Sequence, residues 1–191
     1  SNLRTTLRTA TDRPQAAVVT HTAGRYHLEA DAFCADVWAF DDALAAARRA
    51  PDGERHRHLA AAMEAYTGPL LSDVAETWLE PERHERRRAA AEACVDLAHH
   101  APGPTTALDW LEKAREADEF NEALYQEIMR FHAKRNRPDA VKRTFEILVE
   151  RLITLDSEPS EATRKLLAEL TSISPAEKHP KRRPHRSTDR N

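Results

Sequence analysis

The sequence predicts a mainly α-helical protein: paired helices in a repeat stack, preceded by a short helix and a small β-hairpin. Three observations carry that expectation. Apolar residues recur at helical spacing over most of residues 36–171. A self-match with a shift of thirty-three residues runs through 85–150. A single stretch, AAVVTHTAGRYHLE, has the β-branched residues and central Gly of a hairpin instead.

The chain opens with SNLRTTLR, in which Leu3 and Leu7 share a helix face and Arg4 and Arg8 are neighbours four apart. In the hairpin, Val18, Val19 and Thr20 form the first strand, Ala23-Gly24 the turn, and Arg25-Tyr26-His27-Leu28 the alternating return strand. A basic helix running into a hairpin tipped by Gly and Arg is how a winged-helix DNA reader ends. The two helices that would precede it are not in this sequence, so it reads as a fragment cut inside the recognition helix. The candidate DNA-contacting residues are Arg4, Arg8, Thr22 and Arg25, directed at phosphate, with Arg25 placed for a minor groove. The competing reading is a basic amphipathic helix and an ordinary hairpin with no DNA role.

The next helix is expected over DVWAFDDALAAARRA, capped by Asp36, with Val37, Phe40, Leu44 and Ala47 inward. Pro51-Asp52-Gly53 ends it, and RHRHLAAAMEAY continues with Leu59, Ala62, Met63 and Tyr66 until Thr67-Gly68-Pro69. LLSDVAETWLE reads as irregular, its Leu70, Val74 and Trp78 filling a gap between helix pairs. Helices follow at about 82–99, 104–117, 121–135, 138–154 and 160–171. Laying 85–117 over 118–150 pairs Ala91 with Leu124, Val95 with Ile128, Ala98 with Phe131, and Leu108 with Val141. Two helices per ~34 residues is the tetratricopeptide pattern, in which each helix pair buries its apolar face on the next. The expected lining is Ala91, Val95, Ala98, Leu108, Leu124, Ile128, Ala140 and Phe145, with Phe145 a buried aromatic. The last helix, with Leu166, Leu167 and Leu170, would cap the stack.

Net charge is −3, but residues 174–191 carry +4 and residues 1–30 carry +2, which leaves −9 for 31–173. An acidic body is unsuited to lie along DNA. Nucleic-acid contact is therefore expected at the ends of the chain. The sequence divides into a winged-helix remnant (1–30), a helical domain (31–173) and a basic tail (174–191) too polar to order itself. No apolar run approaches the ~18 residues of a membrane span, and no signal peptide is recognisable, so the location expected is cytoplasmic.

Chemistry finds no foothold. The four glycines Gly24, Gly53, Gly68 and Gly103 fall in turns and build no phosphate loop. His56 and His58 are interleaved with Arg55 and Arg57, and His99 and His100 point to different faces. Cys34 and Cys94 are sixty residues apart and read as small buried side chains. Ser72, Asp73 and His84 assemble no nucleophile, and Glu82–Arg88 reads as a solvated helix face. No catalytic, cofactor or metal residue is assigned, and no enzyme is expected.

The order of parts over roughly 1–171 resembles the bacterial transcriptional activator domain behind a winged helix, as in the actinobacterial antibiotic regulatory family. Ser1-Asn2-Leu3-Arg4-Thr5-Thr6-Leu7 is similar to the end of that family's recognition helix. Gly24-Arg25-Tyr26-His27-Leu28 is similar to its wing strand, one residue longer. Asp36-Val37-Trp38-Ala39-Phe40 resembles the acidic D-x-x-x-F that opens the helical domain. Tyr66-Thr67-Gly68-Pro69-Leu70-Leu71 carries the most specific element, Tyr/Trp-x-Gly-Pro-Leu-Leu. Residues 140–148 and Pro159-Ser160 through Leu166 resemble its closing helices. The chain departs where Asn136 stands in place of a helix-turn glycine, and again in Leu155-Asp156-Ser157-Glu158-Pro159, which lacks the usual glycine. The resemblance implies a transcription regulator that binds promoter DNA in the intact protein. Its helical domain would contact RNA polymerase or another protein, or pair two copies as a homodimer. The alternative is a tetratricopeptide-type adaptor for a protein or peptide, without a DNA role.

Overall fold

The structure, a computed structural model, describes residues 5, 6, 9, 19–28 and 35–172. Arg4, Arg8, Cys34 and the basic tail lie outside the described residues.

Strands β1 (Val19–Thr22) and β2 (Arg25–Leu28) pair antiparallel, with Val19 opposite Leu28 and Thr22 opposite Arg25. Both turn residues have positive φ, 53° at Ala23 and 78° at Gly24. A two-residue hairpin needs this to match the strands' twist. Glycine adopts such an angle at no steric cost and alanine does not.

Seven helices follow among the described residues: α1 (Asp36–Arg49), α2 (Asp52–Ala65), α3 (Glu80–His99), α4 (Pro104–Ala117), α5 (Glu122–Ala133), α6 (Pro138–Ile153) and α7 (Glu161–Ser172). The chain divides into two compact units at Ala101/Pro102. In the first, α1 packs on α2 and α2 on α3, around Phe40, Leu44, Leu59, Ala62 and Cys94. In the second, α5 packs on α4 and α6, and α7 lies on both α5 and α6. Its core holds Leu111, Leu124, Tyr125, Ile128, Met129, Val141 and Leu148. The five helices expected between 82 and 171 appear within two residues of their expected bounds.

Two left-handed residues replace glycines where α5 and α6 end. Asn136 (φ 56°) donates its amide to Ala133 O at 2.9 Å, and Arg137 N reaches back to His132 O at 3.1 Å. Asp156 (φ 51°) does the same at Ile153 O, and Ser157 N returns to Leu152 O. Asn and Asp visit this region more readily than other non-glycine residues, so both turns survive their departures from the pattern.

Four expectations need correction. Helix α1 is capped by Ala35, and Asp36 is its first residue; the Asp36 carboxylate accepts from Val37 N (2.8 Å) and the Thr67 hydroxyl (3.0 Å). Of the expected lining, Val95, Leu108, Ala140 and Phe145 are only partly buried; in α6 the inward stripe is Val141, Thr144, Leu148 and Leu152, and Ala140 and Phe145 lie on its flank. Trp78 is 67% exposed while Leu79 is 2% exposed; in the tight 3₁₀ turn Thr77–Leu79, successive side chains diverge by about 120°, so only one faces inward. The Glu82–Arg88 run is not simply a solvated face, since Arg83 is buried within it.

Candidate functional site

Thr22 and Arg25 face each other across the hairpin tip and both are exposed. Behind them the His21 and Tyr26 rings lie 4.7 Å apart, and Tyr26 remains 75% exposed. Arg25 has no ion pair among the described residues. The tip therefore presents a hydroxyl, an unneutralised guanidinium and an aromatic edge on a narrow two-stranded finger. Of the helix expected to hold Arg4 and Arg8, Thr5, Thr6 and Thr9 are helical, and the Thr9 hydroxyl donates to Thr5 O at 3.0 Å.

A second feature lies among the helices of the first unit, where no site residue was expected. The start of α1, the end of α2 and the loop 67–74 enclose a groove of about 590 Å³, walled by Val37, Phe40, Tyr66, Pro69, Leu70 and Val74. The Phe40 and Tyr66 rings that line it lie 5.4 Å apart, tilted by 43°. Gly68 (φ 142°) takes a backbone angle that a side chain rarely allows, and Leu71 follows at φ 48°. Along this path Leu71 O accepts from Val74 N at 2.9 Å, and Arg83 donates to the carbonyls of Leu70, Leu71 and Val74. Its Nε donates to Leu70 O at 2.8 Å, and its Nη2 to Leu71 O at 2.5 Å and Val74 O at 2.6 Å. Nη1 pairs with Glu80 at 2.6 Å. Planar guanidinium, with five fixed donors, is the side chain suited to several carbonyls at once. One turn on, Arg86 joins Glu82 (2.7 Å) and Asp41 of α1 (2.9 Å), and those carboxylates raise its pKa against the opposing effect of burial. The only signal for Arg83 was its place four residues past the Trp78-Leu79 turn. Nothing in an E-R-H-E-R-R-R run marks one arginine as buried.

In the second unit the polar organisation is of opposite sign. The Glu122 carboxylate, at the start of α5, accepts from the Ser160 amide (3.0 Å), the Ser160 hydroxyl (2.8 Å) and the Thr163 hydroxyl (2.6 Å). Gln126 adds a bond to Thr163 at 2.7 Å, and Thr163 is fully buried. Burial opposes ionisation of Glu122, but these bonds outweigh it and hold the carboxyl below its ordinary value. Ser160 Oγ also accepts from Thr163 N, which caps α7. The Pro159-Ser160 element thus docks the last helix onto α5.

Among the described residues no group of three or more His, Cys, Asp and Glu side chains is placed to hold a metal ion. None of their helices is long and apolar enough to cross a membrane. His100 turns to Asp96 (3.1 Å), which also pairs with Arg55 at 2.7 Å, so this cluster is spent on tying α2 to α3.

No curated protein and no solved structure matches the chain. The model of one family, the bacterial transcriptional activator domain, matches residues 35–171. That span begins at the cap of α1, includes the Gly68 groove and the Glu122–Ser160 contact, and ends inside α7. The chain belongs to the bacterial transcriptional activator domain family.

Proposed function

We propose that this chain is part of a DNA-binding transcription regulator, in which the hairpin is the wing of a reader and the helical domain a scaffold for protein contacts. The observation that carries the reading is the order of parts: an exposed hairpin tipped by Thr22 and Arg25 stands directly before a transcriptional activator domain. Arg25, with Arg4 and Arg8, would neutralise phosphates and set the reader's register, while sequence would be read by the recognition helix. The helical domain would hold RNA polymerase, another protein or a second copy. Its acidic charge keeps it off DNA, and the Gly68 groove with exposed Leu71 and Trp78 beside it in sequence gives it an apolar face to offer. The role is regulatory, in the cytoplasm, with no catalytic step.

The test is promoter binding by the intact protein, followed by fluorescence anisotropy over a salt series. Arg25→Ala and Arg4→Ala should each weaken binding across sequences and lower the salt slope by about one unit. The present segment alone should bind DNA weakly, without sequence preference, and lose that binding steeply with salt. Unchanged promoter affinity in both variants would favour the adaptor reading, a tetratricopeptide-type module with no DNA role.

A further inference from the structure

Residues 130–143 differ from the rest of the acidic helical body. They carry Arg130, Lys134, Arg135, Arg137, Lys142 and Arg143 against Asp139, a local +5 inside a segment whose net is −9. At the α5–α6 turn this charge surrounds a concavity of about 310 Å³, walled by Ala133, Pro138 and Leu170 and edged by Arg130, Lys134 and Arg137. Among the described residues no acidic side chain lines it.

Lys134 and Arg137 form no ion pair among the described residues, and Arg130 reaches Glu127 only at 3.8 Å. Arg135 is directed elsewhere: its guanidinium lies 3.5 Å from the Phe131 ring centre and donates to Phe131 O. The left-handed Asn136 reverses the chain between Lys134 and Arg137 and fixes both beside the pocket. Three cations border one cavity, and an anion placed in it would be attracted by each of them. The same positive field reaches His132, buried one turn away, where it adds to burial in disfavouring the protonated ring.

We propose that this pocket binds a small organic phosphate, its phosphate held by Lys134 and Arg137 and its apolar body against Pro138 and Leu170. A concave site of this size with one apolar wall suits a small molecule. Duplex DNA would need a longer basic track than the acidic flanks provide. The site shares no residue with the hairpin tip, so it stands or falls independently of the DNA reading, and its ligand would be an effector of the activator domain.

The test is calorimetric titration of the full chain with AMP, adenosine and inorganic phosphate at constant ionic strength. AMP should bind, inorganic phosphate more weakly, and adenosine not at all. Lys134→Ala and Arg137→Ala should each weaken AMP by roughly tenfold, with Arg137→Lys retaining part of the affinity and Arg48→Ala, at the end of α1, retaining all of it. Circular dichroism of each variant separates lost binding from lost fold. The proposal is overturned if millimolar AMP and phosphate both fail to bind, or if Arg137→Ala binds AMP as the parent does. It is equally overturned if phosphate binds but AMP does not, or if duplex DNA alone depends on Arg137.

Discussion

The two units solve the same problem with charges of opposite sign. In the first, the loop between Gly68 and Val74 turns three carbonyls toward the buried Arg83 cation, which donates to all three, while Leu71 O also accepts from Val74 N. In the second, the start of α7 has surplus donors, and the Glu122 carboxylate takes up the Ser160 amide and two hydroxyls. Irregular backbone that turns its C=O groups inward calls for a guanidinium, and a helix N-terminus calls for an anion. The environments differ too. Arg83 is almost wholly enclosed, whereas Glu122 keeps part of its surface in water. A buried partner leaves unpaired groups when it is removed, and a half-exposed one leaves groups that water can reach.

The comparison is broken most directly at Arg83. Arg83→Ala strips the Leu70 and Val74 carbonyls of the guanidinium and leaves Leu71 O with the Val74 amide alone, and should cost about 3 kcal/mol in urea unfolding. Arg83→Lys keeps the charge but cannot span three acceptors, and should recover less than half of the loss. Arg88→Ala, five residues along the same helix and paired with Glu92 at the surface, should be close to neutral. Equal costs at 83 and 88 would show that the run is a solvated face after all.

The fold was legible because helix spacing and the Pro and Gly stops agree with one another, and each is a local signal; the thirty-three-residue repeat was a poorer guide, since its first copy, 85–117, runs across the division at Ala101/Pro102. The hairpin was legible from Ala23-Gly24 as a turn, with Gly24 its one permissive residue, and from the β-branched run before it. Side-chain roles inside an element were harder to read. Phe145 and Thr144 are adjacent, and hydrophobicity favours Phe145 as the inward residue. Yet Thr144 occupies the buried position by returning its hydroxyl proton to Ala140 O at 2.9 Å. Trp78 and Leu79 pose the same problem in a 3₁₀ turn. Arg83 was hidden because burial of a cation depends on carbonyls a dozen residues away. Of the candidate site, the structure brings Thr22 and Arg25 together at the tip, while Arg4 and Arg8 fall outside the described residues. Phe145 can be settled by truncation. Phe145→Ala should cost about 2 kcal/mol, short of the ~3–5 kcal/mol of an enclosed aromatic, and less than Leu148→Ala on the same helix. A larger loss at 145 than at 148 would restore the buried reading.

The second unit's clamp should yield a smaller effect than the first. Ser160→Ala removes a cap and one of the three Glu122 contacts, and should cost about 1 kcal/mol. Glu122→Gln keeps the shape and removes the charge. Because the folded carboxyl is held below its ordinary value of 4.5, its contribution is present above that value and is lost as pH falls through the folded pKa. The parent should therefore lose stability over Glu122→Gln as the solution is acidified below about 4.5. Parallel pH profiles for the two proteins would remove the charge from the argument.

The smallest effect belongs to His132, on the inner face of α5. Burial first, and the positive charge of Arg137 next, hold its imidazole below the ordinary value of 6.5, although Glu112 pulls the other way. Its Nδ1 is buried and has no hydrogen-bond partner among the described residues. The unfolded chain therefore takes up a proton at a higher pH than the folded one. Above 6.5 both states are neutral and the residue makes no pH-dependent difference; below it the unfolded state binds more protons and stability declines, until the folded ring also protonates. This window lies above that of Glu122, so the two can be separated in one series of urea curves. His132→Gln should flatten the decline just below pH 6.5 and leave the one below 4.5 intact. Arg137→Ala, which leaves the ring buried but lifts the nearby charge, should move the upper decline toward lower stability loss without abolishing it. An upper decline unchanged in both variants would mean that the folded ring protonates as freely as the unfolded one, and that His132 is not the group that senses acid in this unit.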